Sequence, residues 1–264
     1  MLRKILGSIF QQLPSSLRKR LIQELGRGLS SEQMYEVMQP MVRDQVGSLS
    51  AAEALRFLLR LDAFLYRLQG HQAIRYDNGL HTKYRHTRYH DFFVDRIQKG
   101  QKVIDIGCGG GLLAFKLARK GANVSGIDIS QANIDRAQQN YSLPNLIFRQ
   151  GDALRDFVTE TFDVVVLSNV LEHLDQRISF LRTVSSQYQP TLLLVRVPLY
   201  ERDWRVPLKQ ELGVEWRLDP THEIEYTQES FAKEIHSAGL TIRYMEIRWG
   251  ELWVEVVKDD SGSR

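Results

Sequence analysis

The chain has 264 residues, 43% of them hydrophobic and 25% charged, which is enough apolar material for a packed core and too much for a disordered polymer. A formal net charge of +3 is too small to point to a nucleic-acid partner, and the single cysteine, Cys108, excludes an intrachain disulfide framework and any multi-cysteine metal site. No leader pattern and no apolar window of the roughly 18 residues that span a bilayer is visible, so a soluble protein in a reducing, cytoplasmic setting is expected.

The charge is unevenly spread. Residues 1–99 carry 16 Lys and Arg against 9 Asp and Glu, and the remainder carries 19 against 23. A basic first third can be a solvated helical face, or it can meet a membrane surface or an acidic partner. Residues 1–75 read as a helical extension. Leu2, Ile5, Leu6, Ile9, Phe10 and Leu13 recur at helical spacing, Pro14 interrupts them, and a second helix covers 17–25. Ser30 or Ser31 can cap a third over 34–42, and Ser50 precedes a long one over 51–68 that Gly70 is expected to end.

From residue 76 the texture changes. Tyr84, Arg85, His86, Tyr89 and His90 crowd a short polar stretch that leads into a helix over 91–98. Beyond Gly100, strands at 102–106, 123–127, 146–150, 163–168 and 192–197 alternate with helices at 112–120 and 131–141, a short one after Asp152, and 175–187. This is the pattern of a parallel sheet with crossover helices. Segments 241–247 and 251–257 flank Trp249-Gly250 and read as a hairpin.

The chemistry concentrates in V-I-D-I-G-C-G-G-G-L at 103–112, a strand entering a glycine-rich turn and then a helix. Glycines allow positive φ and close approach of the backbone to a ligand, and the first turn of the helix offers free N–H groups. The dinucleotide fingerprint G-x-G-x-x-G fails here, because its third glycine position is Leu112. The glycines fall instead at 107, 109 and 111, with Asp105 two residues before the first. Asp128 closes the second strand, where a carboxylate can accept the hydroxyls of a ribose. R-Q-G-D-A places Asp152 and Ala153 after the third strand, and F-D-V-V-V-L-S-N-V-L-E-H-L forms the fourth strand and the short segment beyond its end.

Taken together over 76–257, these markers resemble the class I S-adenosylmethionine-dependent methyltransferases, in particular the broad type 11/12 methyltransferase domains. The resemblance implies a Rossmann-like α/β fold over 76–264, with a seven-stranded, mostly parallel sheet and an antiparallel C-terminal hairpin, behind the N-terminal helical extension. It implies S-adenosylmethionine as cofactor, with Asp105 near its amino group and Gly107, Cys108, Gly109 and Gly111 wrapping its methionine part. Asp128 and Ile129 would meet the ribose and adenine, Asp152 and Ala153 the adenine edge, and Ser168 and Asn169 would border the sulfur. Arg85, just upstream, is a candidate for the methionine carboxylate, with Tyr84 or His86 lining the pocket. Thr227 and Gly239 bound a further helix that also matches the family.

Cys108 reads as a small loop residue and not a nucleophile, because no neighbour in sequence would lower its pKa. If the acceptor is a hydroxyl, His173, His222 and His86 are the candidate bases, while Glu172 and His173 can equally cap the short turn after strand four. No ligand spacing such as H-E-x-x-H appears, so no metal is expected. Ser168-Asn169-Val170-Leu171 replaces the Asn-Pro-Pro-Tyr of adenine amino methylases, and no second cysteine serves pyrimidine chemistry. The expected acceptor is therefore a small molecule or a surface sugar or lipid precursor. The basic helices would be a lid, a dimerisation element or a docking face for a membrane or protein. Two rival readings are an NAD(P)-dependent oxidoreductase and a non-catalytic module that keeps the fold and the cofactor. Removing residues 1–14 is expected to leave cofactor affinity intact by calorimetry, and loss of binding would make the extension part of the pocket.

Overall fold

The computed structural model describes residues 10–259 apart from 11, 153, 157 and 158. The chain divides into two compact units, Met1–Ala63 and Phe64–Arg264. The apolar stripe expected before Pro14 falls mostly outside the described residues. Helix α1 is Ser15–Arg27, α2 is Ser31–Gly47 and α3 is Ala51–Tyr76. Ser30 is the cap of α2: its hydroxyl accepts the Gln33 N–H at 3.2 Å, and the Gln33 side chain accepts the Ser30 N–H at 2.9 Å.

Helix α3 does not stop at Gly70 but runs six residues past it, to Tyr76. An interior glycine costs roughly 1 kcal/mol against alanine, which the surrounding helix formers offset. The helix ends instead where Asn78 and Gly79 turn left-handed, at φ +54° and +99°, and the Gly79 N–H closes onto the Ile74 carbonyl at 2.8 Å. Two short helices come next, α4 (Lys83–His86) and α5 (Asp91–Val94). The second is shorter than expected, because beyond Val94 the chain tightens into i→i+3 turns that carry Ile97 into the core.

The sheet has seven strands in the order β3-β2-β1-β4-β5-β7-β6. They are β1 Lys102–Ile106, β2 Asn123–Asp128, β3 Leu146–Gln150, β4 Val164–Ser168, β5 Leu192–Pro198, β6 Leu240–Arg248 and β7 Glu251–Lys258. Strands β1 to β5 pair in parallel, and β7 runs antiparallel to both β5 and β6. Helices α6 (Leu112–Arg119), α7 (Gln131–Asn140), α8 (Arg177–Tyr188), α9 (Arg205–Glu211) and α10 (Gln228–Ser237) complete the chain. This is the Rossmann-like arrangement expected, with strand ends within a residue or so of expectation. Two details differ. Helix α9 has no counterpart among the elements expected from the sequence. After Asp152, where 153, 157 and 158 lie outside the described residues, the described ones form a turn in which its carboxylate accepts the Leu154 N–H at 2.9 Å, and none of them is helical.

Alternation along the strands separates two cores. Ile104, Ile106, Val165, Leu193 and Val195 pack with Phe180, Tyr226 and Phe231 on one face. Val103, Val166 and Leu194 pack with Phe92, Phe93, Leu113 and Trp253 on the other. No described helix is long and apolar enough to cross a membrane. The order of strand addition reverses at β1, whose neighbours β2 and β4 lie on opposite sides of it, and this is the switch point where open α/β sheets bind ligands.

Packing at this point leaves no room for a side chain on Gly111. Its φ is +81°, and a Cβ there would lie 2.6 Å from Phe148 Cζ and 2.8 Å from Ala137 Cβ. Gly111→Ala is expected to destabilise the fold by about 2–4 kcal/mol. Urea unfolding is the check, and an unchanged midpoint would contradict this packing.

Candidate functional site

At the C-terminal edge of β1, β4 and β5 lies a cleft of about 410 Å3, within the range of roughly 300–1,000 Å3 common for small-molecule sites. Its floor is the turn Gly107–Gly111, its walls include Lys83, Tyr84, Tyr89 and His90, and Asp105, Ser168, Asn169 and Arg196 reach into it. The turn is stitched to β2, as the N–H groups of Gly107 and Cys108 both donate to the Ile127 carbonyl, at 2.8 and 3.0 Å. Gly109 has φ +53°, and a Cβ built on it meets nothing within 4 Å, so backbone is presented where a ligand can approach it closely.

Asp105 is 1% exposed, and its Oδ2 has no hydrogen-bond partner. Burial, with the nearby Asp128 carboxylate adding to it, pushes the Asp105 carboxyl up to about 7. An orphaned buried carboxylate oxygen facing a cleft is suited to a cationic donor such as an ammonium. Cys108 also lines the cleft, and burial raises its thiol pKa, as expected for a residue that is not a nucleophile.

Asp128 is arranged differently from the expectation. It is 9% exposed, and three donors already engage it: Gly109 N–H at 2.8 Å, Ser130 N–H at 2.9 Å and Asn133 Nδ2 at 3.1 Å. It fixes the glycine turn and the start of α7, and retains room for one further donor at most. Ile129 is 70% exposed beside it. Asp152 is half-buried and caps its own turn, and Ala153 lies outside the described residues.

The structure does not bring Arg85 to the cleft. It is exposed, and its guanidinium pairs with Asp77 at 3.1 Å. The side chains of α4 that line the cleft are Lys83 and Tyr84, and His86 lies outside it, beside Trp249 and Arg248. The basic group deep in the cleft is Arg196, which sequence reasoning missed. It sits in the run Leu192–Pro198, every residue of which is buried, so the pattern there marks only a core strand.

After Asn169, held at φ +58°, the 3-10 turn Leu171–His173 places Glu172 and His173 against the segment that carries His222. Glu223 N–H donates to the Glu172 carbonyl at 2.7 Å. Glu172 is fully buried, neither carboxylate oxygen has a partner, and burial pushes its pKa up to about 8. The two imidazoles meet edge to face at 4.6 Å. His173 Nδ1 lies 3.0 Å from Thr221 Oγ1, and His222 Nδ1 lies 2.9 Å from Glu225 Oε1. Among the described residues Glu172, His173 and His222 offer ligand atoms within 4.8 Å of one another, a grouping that could hold a metal ion. Linear spacing could not reveal it, because His173 and His222 are 49 positions apart in the chain. His173 is half-exposed, and burial holds its pKa below the usual value.

A family model described as a methyltransferase domain matches residues 76–244. The chain belongs to this methyltransferase family. It is 40% identical over 95 residues to a ubiquinone biosynthesis O-methyltransferase of Pseudomonas fluorescens, covering 34% of this chain and 41% of that protein. A mitochondrial ubiquinone biosynthesis O-methyltransferase of Schizosaccharomyces pombe is 37% identical over 101 residues, covering 36% and 37%. The chain thus spans about two fifths of the length of these curated relatives. Among solved structures, the magnesium protoporphyrin IX methyltransferase of Synechocystis PCC 6803 with bound SAH superposes with a TM-score of 0.54 at 21% identity. That match covers 66% of this chain and 84% of the other and shows the shared fold. Family membership sets aside the oxidoreductase reading.

The buried Asp105 has a consequence for stability. Its carboxyl ionises near pH 7 in the folded chain against an ordinary value of 3.8, so folding retains a proton that the unfolded chain has lost. The stability contributed by the protonated form is complete below about pH 4 and disappears as pH rises through 7. Without ligand, Asp105→Asn is expected to match the parent near pH 4 and to exceed it by a few kcal/mol at pH 8. Thermal melts across that range test this, and a gap independent of pH would contradict the assignment.

Proposed function

We propose that the chain is an S-adenosylmethionine-dependent methyltransferase acting on a small molecule. The observation that carries this reading is the pairing of Asp105, with its orphaned oxygen, and a glycine turn whose open position, Gly109, leaves backbone exposed to the cleft. The residues fit the cofactor: Asp105 would take its amino group, Gly107, Cys108, Gly109 and Gly111 would surround the methionine part, and Asp128 with Ile129 would lie toward the nucleoside. When bound, S-adenosylmethionine supplies a methyl carbon already activated by a sulfonium.

The chain's own contribution is alignment and the exclusion of water. Ser168 and Asn169 lie at the end of β4, between the glycine turn of β1 and the end of β5, and would position the acceptor. The relatives named as O-methyltransferases support a hydroxyl acceptor. His173, four residues past Asn169 on the turn that leaves β4, is then the candidate base, and its lowered pKa favours the neutral ring that accepts a proton. His222, tied to Glu225, would hold the His173 ring in place. The basic N-terminal helices are proposed as a docking face, and the cytoplasm as the site of action.

Calorimetry with S-adenosylhomocysteine tests the cofactor. One-to-one binding is expected, with none for NADH, and Asp128→Ala is expected to weaken it by about 2 kcal/mol or more as the turn loses its anchor. Unchanged affinity would remove Asp128 from the site, and no binding to the parent chain would overturn the reading. Turnover of labelled cofactor with cell extract separates an enzyme from a binding module.

A further inference from the structure

The cofactor reading above gives no role to one buried charge in the cleft, that of Arg196. Arg196 is 3% exposed, and its Nε and Nη1 have no hydrogen-bond partner. Its guanidinium lies 3.5 Å from the centre of the Tyr89 ring and 5.2 Å from that of Trp253. Among the described residues the carboxylate beside it is Glu251, whose Oε2 is 3.5 Å from Nη1 and itself lacks a hydrogen bond. Lys83 also lines the cleft, with its ammonium 4.7 Å from the Tyr89 ring. Arg196 and Lys83 both act on the carboxylate of Glu251, with Arg136 and Asp105 also on the cleft lining, so the guanidinium shares its counterion with a second cation in a place where burial makes charge costly.

Register places this charge. Asp105 pairs with Val166 and Ser168 with Arg196, and alternation puts Asp105, Ser168 and Arg196 on the same face of the sheet. Along the sheet edge the order runs from Asp128 on β2, through Asp105 on β1 and Ser168 on β4, to Arg196 on β5. At about 4.8 Å per strand, Arg196 stands some 10 Å from β1, on the side opposite to Asp128. The nucleoside end of the cofactor is assigned to β2 and the reacting centre to β4, so Arg196 faces the space beyond the reacting centre.

We propose that Arg196, supported by Lys83, receives a carboxylate of the methyl acceptor, so that the enzyme selects a small acidic molecule. This rests on the cofactor reading above. A guanidinium offers a planar fork that matches a carboxylate in two parallel hydrogen bonds. Burying a monoanion beside this guanidinium costs less desolvation than burying a dianionic phosphate, and the rings of Tyr84 and Tyr89 beside it suit a planar molecule.

The test uses the full chain saturated with S-adenosylhomocysteine, with benzoate, benzamide and inorganic phosphate as probes in calorimetry. Benzoate is expected to bind at least tenfold more tightly than benzamide and more tightly than phosphate. Arg196→Met is expected to abolish the preference while changing S-adenosylhomocysteine affinity less than twofold, and Arg196→Lys to retain part of it. The parent-chain comparison stands even if a variant fails to fold. Equal binding of benzoate and benzamide, or tighter binding of phosphate, overturns the proposal. So does a tenfold loss of S-adenosylhomocysteine affinity in Arg196→Met, which would assign the guanidinium to the cofactor's own carboxylate. Failure of the parent chain to bind S-adenosylhomocysteine overturns the cofactor reading instead, and the two failures are therefore distinguishable.

Discussion

A carboxyl group removed from water with one oxygen unsatisfied is among the more expensive features a fold can contain, and the site is organised around one. Asp105 sits near the end of a parallel strand, between two neighbours and beneath a glycine turn, so the cleft is the one direction in which its carboxyl group is presented. Asp128 bonds the turn that covers it, which keeps a second negative charge close and raises the cost. The surrounding apolar core makes this tolerable. Val103, Val166 and Leu194 below and Phe93 and Leu113 beside them are completely or nearly completely buried. A strained polar site persists because a large, well-packed sheet holds it in place.

The far face of the sheet does a different job. There Arg177 pairs with Glu234 at 3.0 Å, the Tyr226 hydroxyl donates to the same carboxylate at 2.6 Å, and Arg202 is bonded to Glu225. These partly buried ion pairs tie α8 to α10, and the 200–202 segment after β5 to the segment before α10. The result is that His222 is delivered to His173 from a distant part of the chain. Ion pairs of this kind contribute little net stability but fix geometry, since breaking one leaves an uncompensated charge.

Most of the architecture was legible in the sequence. Strand positions came from apolar runs punctuated by glycine and aspartate, and Asp105 with its glycines from the spacing of one turn. The parts that depend on through-space meeting were not legible. Arg85 and Lys83 are equivalent in sequence, and only the direction of a four-residue helix sends Lys83 to the cleft and Arg85 to Asp77. Arg196 was hidden in a core strand, and the Glu172, His173 and His222 grouping joins two distant segments. Gly70 misled because local propensity is weaker than the continuation of a long helix.

The near-neutral ionisation of Asp105 bears on how heat is exchanged when the pocket fills. In the ligand-free chain the carboxyl, pushed up to about 7, exchanges its proton in the neutral range. Seating an ammonium against Oδ2 would favour the ionised form and drive that proton into the surrounding solution, where the buffer takes it up. The measured enthalpy of complex formation would then vary with the buffer's own ionisation heat, differing between Tris and phosphate at identical affinity. The fraction of a proton released would report the state of one side chain deep beneath the glycine turn.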